Sequence, residues 1–290
     1  MIIARITSGL GNQLFQYALA RSLALRNDTS LCFDLSYYRQ AYETDTVRAF
    51  RLDRFDIEYT ALNASPYRYV SKGTRLLPNR TLKPWFEFVK ERQFHFDPGV
   101  FEAQAKFVTL DGFWQSARYF ADYETIIRKE LTFNRPTGPV FETYKEEIDG
   151  SEHPISLHIR RGDYVSHPEF SQSFGFVGLD YYRAAIAYVI QRLPTARFFI
   201  FSDEPDWVSQ HLVLDYPHCF VTSTGSDADL DDLQLMSLCR HHIIANSSFS
   251  WWGAWLNADA GKLVITPHAW FRNKPDWNTI DLIPATWLRL

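Results

Sequence analysis

Cysteine is scarce in this chain of 290 residues, with only Cys32, Cys219 and Cys239. An odd number, so widely separated, implies neither a disulfide framework nor a paired-cysteine metal site. All three fall in apolar runs and are expected to be reduced core residues. No stretch reaches the ~20 apolar residues that span a bilayer. The chain opens directly on the strand-like Ile2-Ile3-Ala4-Arg5-Ile6, with no basic flank and long apolar run behind it. No signal peptide is therefore expected, and the expected compartment is the cytoplasm. Peripheral association with the inner face of the membrane is compatible with that reading. Basic charge is also lacking: the net charge is -4, which argues against a general nucleic-acid binder but leaves room for a local nucleotide site. A strand-turn-helix serine elbow and a His-Glu-x-x-His run are absent, so the common hydrolase signatures are missing. The phosphate loop GxxxxGK[ST] is absent too, which argues against a kinase of that class. There is no internal repeat and no low-complexity segment.

What is present is a globular composition, 46% hydrophobic and 22% charged, long enough for two domains. Aromatic residues make up 16%, including nine Trp and fifteen Tyr. Proteins that handle sugars present aromatic faces, but ordinary core packing explains aromatics equally well.

The first half opens with a βαβ pattern. Residues 2–6 read as a strand, and a helix is expected from about Asn12 to Arg26, with Leu14, Ala18 and Leu25 beside Phe15, Leu19 and Ser22 on its apolar face. Ser30–Leu35 reads as the next strand, which makes the connection a right-handed parallel crossover. From Tyr37 to about Arg80 the pattern weakens, and Arg48–Phe55 reads as either strand or packed loop. Phe94–Asp97 and Phe107–Trp114 are expected strands, and Tyr119–Leu131 an expected helix. Breaks at Asn134–Pro139 and Asp149–Ser151 place a domain boundary just before Ile155, giving domains 1–150 and 151–290, with Val140–Ile148 as a helix at the join.

The second half alternates cleanly. Expected strands are Ile155–Ile159, Arg197–Ser202, Cys219–Thr222, His242–Ala245 and Lys262–Thr266. Helices are expected at Asp180–Leu193, Asp206–His211, Asp231–Arg240 and Trp251–Ala258, with Asp180 and Asp231 as N-caps. This half reads as a doubly wound parallel sheet.

Three stretches carry chemistry. His158-Ile159-Arg160-Arg161-Gly162-Asp163 follows a buried strand, and in such sheets ligands bind at the carboxyl ends of the strands. Two adjacent guanidiniums offer planar forks that fit a phosphate or carboxylate; a bare arginine pair is otherwise a surface salt-bridge pair. Gly9-Leu10-Gly11-Asn12-Gln13 lies between strand and helix, where bare N–H groups can meet an anion, and Asp34 closes the next strand where a ribose-binding acid would lie. The third glycine of a dinucleotide fingerprint is replaced by Leu14, so a tight structural turn stays open as the alternative. Asn246-Ser247-Ser248-Phe249-Ser250 can hold a phosphate or simply cap a helix. Trp251, Trp252 and Trp255 read first as helix-to-sheet core, with stacking on a base or sugar as the alternative. Asp227, Asp229, Asp231 and Asp232 include a DxD spacing that a divalent metal could use, but a cap and a solvated loop explain it better. His241-His242 lacks a third ligand at suitable spacing and reads as structural.

Taken together, Gly9–Gln16, His158–Asp163 and Asn246–Trp252 with Ala254-Trp255-Leu256 resemble the α-1,2-fucosyltransferases of glycosyltransferase family 11, the bacterial and animal family that includes blood-group H synthases. The order and spacing of the motifs cover nearly the whole chain. The resemblance implies a GT-B fold, two Rossmann-like domains facing across a cleft. The first would hold much of a galactoside acceptor and the second GDP-β-L-fucose. It implies transfer with inversion to the galactoside 2-hydroxyl, no metal and no other cofactor. Arg161, Asp163 and Asn12 are then the catalytic candidates. The donor-binding candidates are His158, Arg160, Arg161, Asp203, Ser247, Ser248 and Phe249, with Gly11 and Gln13 from the first loop. Arg160 and Arg161 would meet the charge growing on the departing diphosphate, and His158 and Asp203 would line the guanosine end. Asp163 is either the acceptor base or an orienter of Arg161, and a phosphate oxygen is the other candidate base. The rival reading is an NAD(P)-dependent oxidoreductase that uses the first glycine loop and Asp34.

Overall fold

The computed structural model describes residues 1–39, 48–62, 84–133, 135–274 and 276–290. Part of the weakly patterned stretch 37–80, and Asn134, lie outside the described residues. The chain forms two compact units, Met1–Arg135 with Asn278–Leu282, and Pro136–Trp277 with Ile283–Leu290.

Unit 1 is built on a five-stranded sheet. Its strands are β1 (Ile2–Arg5), β2 (Leu31–Asp34), β3 (Thr60–Leu62), β4 (Phe86–Lys90) and β5 (Phe107–Asp111). They are all parallel, in the order β3-β2-β1-β5-β4. The expected strand at Phe94–Asp97 is not one; the fourth strand lies earlier, at Phe86–Lys90. Arg48–Phe55 resolves into a 3-10 turn, Leu52–Arg54, followed by a bridge from Phe55 to Phe133. Helix α1 (Leu10–Arg26) is rich in Ala and Leu and is buried along most of its length. The expected helix over Tyr119–Leu131 is broken into two 3-10 turns and a short α2 (Glu124–Glu130). Asp281 ties the returning segment into this unit: it pairs with Arg118 at 2.6 Å, and its carboxylate accepts from the Phe96 N–H at 3.2 Å.

Unit 2 carries a six-stranded parallel sheet in the order β11-β10-β9-β6-β7-β8. The strands are β6 (His153–Ile159), β7 (Ala196–Ser202), β8 (His218–Phe220), β9 (His241–Ile243), β10 (Val264–Thr266) and β11 (Leu288–Arg289). Helices are α3 (Pro139–Asp149), α4 (Gly162–Ser166), α5 (Pro168–Ser173), α6 (Leu179–Arg192), α7 (Pro205–His211), α8 (Ala228–Leu238) and α9 (Ser248–Leu256). Both faces of the sheet are covered, as parallel sheets require. Phe198 and Ile200 pack with Tyr182, Ile186 and Val189 of α6. Phe199 and Phe201 point the other way, to Phe141 and Ile148 of α3 and to Leu235 and Met236 of α8. That second core explains why α3 belongs to unit 2 and the division falls after Arg135, earlier than the expected boundary at 150. The caps also differ from expectation: α6 starts after Gly178 and α8 after Asp227, so Asp180 and Asp231 lie inside the first helical turns.

The strand order reverses between β6 and β9 in unit 2 and between β1 and β5 in unit 1. In open α/β sheets, the crevice beyond the carboxyl ends of the strands at such a reversal is where ligands bind.

Candidate active site

At the unit 2 reversal, β6 delivers Arg160 and Arg161, and β9 is followed by Asn246, Ser247 and α9. The neighbouring β7 adds Asp203 and Glu204. Arg160 is pinned from two sides: its Nη2 donates to Asp163 Oδ2 at 2.7 Å, and its Nη1 lies 3.0 Å from Asp203 Oδ2. The other Asp203 oxygen accepts the backbone N–H of Arg161 at 3.0 Å. Arg161 is paired with Glu204, and its guanidinium lies 4.1 Å above the ring of Trp207, on α7. Gly162 is required here because a Cβ would come within 2.6 Å of Asp203 Oδ2.

The local balance is two guanidiniums against three carboxylates, Asp163, Asp203 and Glu204. An anion entering this cluster competes with carboxylates for the same donors, rather than finding free cations. It also revises one expected role. Asp163 orients Arg160, whereas Arg161 is held by Glu204 and Trp207. Asp203 positions both arginines, with one oxygen on the Arg160 guanidinium and the other on the Arg161 N–H.

His158 is buried, and its ring lies 5.9 Å from that of Phe249. Burial, reinforced by the Arg160 charge, pulls its pKa down to about 3, so the imidazole is neutral. Ser247 caps α9, its side chain accepting the Phe249 N–H at 3.3 Å. The cap reading is the one realised, and the Phe249 donor is already in use. Ser248 opens α9 and is partly exposed. Asn246 donates to the carbonyls of Phe174, Gly175 and Trp270, at 3.1–3.3 Å, knitting the loop together. Trp251, Trp252 and Trp255 are buried core residues, with Trp251 stacked on Trp255 and Trp252 edge-on to both.

The residues the motif reading did not single out as partners are Glu204, Trp207 and Asp232. Glu204 and Trp207 were legible only as a helix start after β7. Asp232 was legible as part of an acidic run, but not as the buried member of it. Burial pushes its carboxyl up to about 6 against the bond from Ser223, with Asp231 and Asp229 adding to the rise. Its Oδ1 is buried without a partner among the described residues. No cluster of three or more metal-ligating side chains occurs among the described residues.

The first loop belongs to unit 1. Gln13 is fully buried: its Nε2 donates to the carbonyls of Ser8 and Ala49, at 3.0 and 2.8 Å, and its Oε1 accepts from the Arg51 N–H at 2.9 Å. Gly11 is buried as well. These two therefore hold the loop and are not presented to a ligand, contrary to expectation. Asn12 is partly exposed and accepts from Gln115 Nε2 at 2.7 Å. Asp34 is fully buried and accepts from the Ser36 N–H at 3.0 Å, so it offers nothing to a ribose.

Against known proteins, the family model described as glycosyl transferase family 11 matches residues 1–280. The chain belongs to glycosyltransferase family 11. An α-1,2-colitosyltransferase of Escherichia coli is 31% identical, covering 100% of this chain and 99% of that protein. A galactoside 2-α-L-fucosyltransferase of Caenorhabditis elegans is 24% identical over 100% of this chain and 79% of its own length. Among solved structures, the fucosyltransferase NodZ from Bradyrhizobium aligns with a TM-score of 0.51 at 15% identity, over 87% of this chain and 91% of that one. The two parallel α/β units are accordingly the GT-B fold, and this family 11 chain is a glycosyltransferase. Nothing in these likenesses supports the nicotinamide reading. No helix among the described residues is long and apolar enough to cross a membrane.

Proposed function

We propose that this family 11 enzyme transfers L-fucose from GDP-β-L-fucose to the 2-hydroxyl of a terminal galactoside, with inversion and without a metal ion. The observation that carries the reading is the Arg160–Arg161 pair, held by carboxylates at the β6/β9 reversal. The acceptor oxygen forms a bond to the fucose anomeric carbon as the bond from that carbon to the β-phosphate oxygen breaks. Negative charge collects on the leaving GDP, and pre-positioned guanidiniums stabilise it without reorganising. The acceptor proton is lost to solvent on the face opposite the departing GDP, and Asp163 acts by positioning Arg160. Asp232, with its buried oxygen, is the acid we assign to guanine N–H groups. Support for the donor comes from NodZ, a fucosyltransferase whose crystals were soaked with GDP-fucose, and for the acceptor from the galactoside relatives. The expected compartment is the cytoplasm.

A second reading, transfer of colitose, is favoured by the 31% identity with the colitosyltransferase over its whole length. One experiment tests both: GDP release measured with GDP-fucose and with the colitose donor, across a galactoside panel, with and without EDTA. A parallel thermal-shift titration should show stabilisation by GDP and none by NAD(P). Loss of activity in EDTA, or no turnover of either donor, would refute the proposal.

A further inference from the structure

The unit 1 reversal, between β1 and β5, carries its own built structure. β1 leads to Ser8–Asn12, and β5 leads to Gly112–Gln115. The second loop is held from several directions. A Cβ on Gly112 would lie 2.4 Å from the Glu91 Cβ, so only glycine fits. Glu91 accepts the backbone N–H of Phe113 at 2.7 Å through one oxygen and that of Trp114 at 2.9 Å through the other. Gln16, from the first motif, donates to the Gly112 carbonyl at 3.2 Å. Trp114 is forced to a φ of 57°, a left-handed conformation unfavourable for a bulky residue, and its ring is buried edge-on to Tyr119. Such strain persists where the surroundings over-determine it, and it clusters at functional sites.

This clamp leaves one side chain standing out. Trp114, Gln115 and Ser116 are buried, whereas Phe113 is 39% exposed. Two residues further along the chain, Gln115 Nε2 is spent on Asn12 Oδ1, which leaves a side-chain donor on Asn12 and a side-chain acceptor on Gln115. A flat apolar ring and a complementary amide pair on one short loop match a pyranose, which has one apolar C–H face and a rim of hydroxyls.

We propose that Gly112–Gln115 is the seat of the acceptor sugar: the Phe113 ring stacks on the sugar's C–H face, the Asn12–Gln115 pair binds its hydroxyls, and Glu91 is the positioning residue that holds Phe113 in place. The identity of that sugar as a galactoside rests on the transferase reading. The seat also accounts for two polar residues of the first motif, Asn12 and Gln16, through their bonds to this loop.

The test combines saturation-transfer NMR, using methyl β-galactoside and lactose, with initial-rate kinetics and GDP thermal shifts. Wild type, Phe113→Ala, Phe113→Tyr and Glu91→Gln are compared. Phe113→Ala should lose saturation of the sugar ring protons and raise acceptor KM about tenfold, with a smaller fall in kcat. Phe113→Tyr, which keeps the ring, should bind sugar as wild type does. Glu91→Gln, which keeps the shape but loses one backbone acceptor, should raise acceptor KM and leave the GDP shift intact. Equal saturation transfer in wild type and Phe113→Ala, or none in wild type, overturns the seat. A missing GDP shift in wild type instead refutes the transferase reading, and the sugar signal still decides this proposal.

Discussion

Removing the Arg161 guanidinium separates its work on a leaving group from its work on the fold. Its pair with Glu204 involves side chains 21% and 32% exposed. A partly exposed pair of this kind is worth up to ~1 kcal/mol. Its contact with the Trp207 ring, at 4.1 Å, adds a cation–π term of ~0.5–1 kcal/mol at such a site. The stability loss in Arg161→Ala is therefore about 1–2 kcal/mol, small against the ~5–15 kcal/mol of a typical domain. The catalytic loss is larger. A pre-positioned donor to developing charge contributes about 3–4 kcal/mol, so kcat should fall ~100- to 1000-fold. Arg161→Lys keeps the charge but not the planar fork and should fall between. Glu204→Gln relieves the competition for Arg161 and should tighten GDP binding several-fold. The assays are GDP release under saturating substrates, GDP titration, and circular dichroism to confirm folding. If folded Arg161→Ala keeps kcat and GDP affinity within about threefold of wild type, the role given to this residue is wrong.

Gly162→Ala places a methyl group against Asp203, so it should displace the carboxylate that holds both arginines and cost at least ~10-fold in kcat, with GDP affinity falling in step; parallel titrations check this. Asp232 is pushed up to about 6, so the folded chain binds this proton more tightly than the unfolded one. The stabilisation is therefore complete below the ordinary aspartate value of ~4 and is lost as pH rises through the folded value. Asp232→Asn should then match wild type near pH 4 and exceed its stability near pH 7.5, on the order of 2 kcal/mol, in urea midpoints taken across that range. Trp252→Ala removes a fully buried ring and should cost ~3–5 kcal/mol in the same denaturation assay.

The second half was readable because strands buried on both faces are continuous apolar runs, as in Phe198–Phe201, separated by helical stretches such as Leu179–Arg192, which Pro194 stops. β4 was missed because it is an edge strand: Phe86–Lys90 is exposed at its ends and half-buried between, and it carries Glu87 and Lys90. β11 is two residues long, too short for any periodicity. The arginines of the central motif stood out as a cluster, but their partners did not. Asp203 meets the Arg161 backbone across 42 residues of sequence, a pairing set by the register of β6 and β7. The roles of Gln13 and Asn12 were open for the same reason. An amide in a glycine loop fits a ligand or a neighbouring carbonyl equally well, and Ala49 and Gln115 decide the matter only in three dimensions.

The return of Asn278–Leu282 to the first sheet has a consequence for biogenesis. Asp281 reaches the Phe96 amide and Arg118 only after nearly every strand of the other unit has been synthesised. A nascent chain that emerges amino-end first cannot finish its leading half until Asn278–Leu282 is free to return to it. Chimeras that swap the leading half between relatives must carry this late segment with it, or Arg118 is left without its carboxylate.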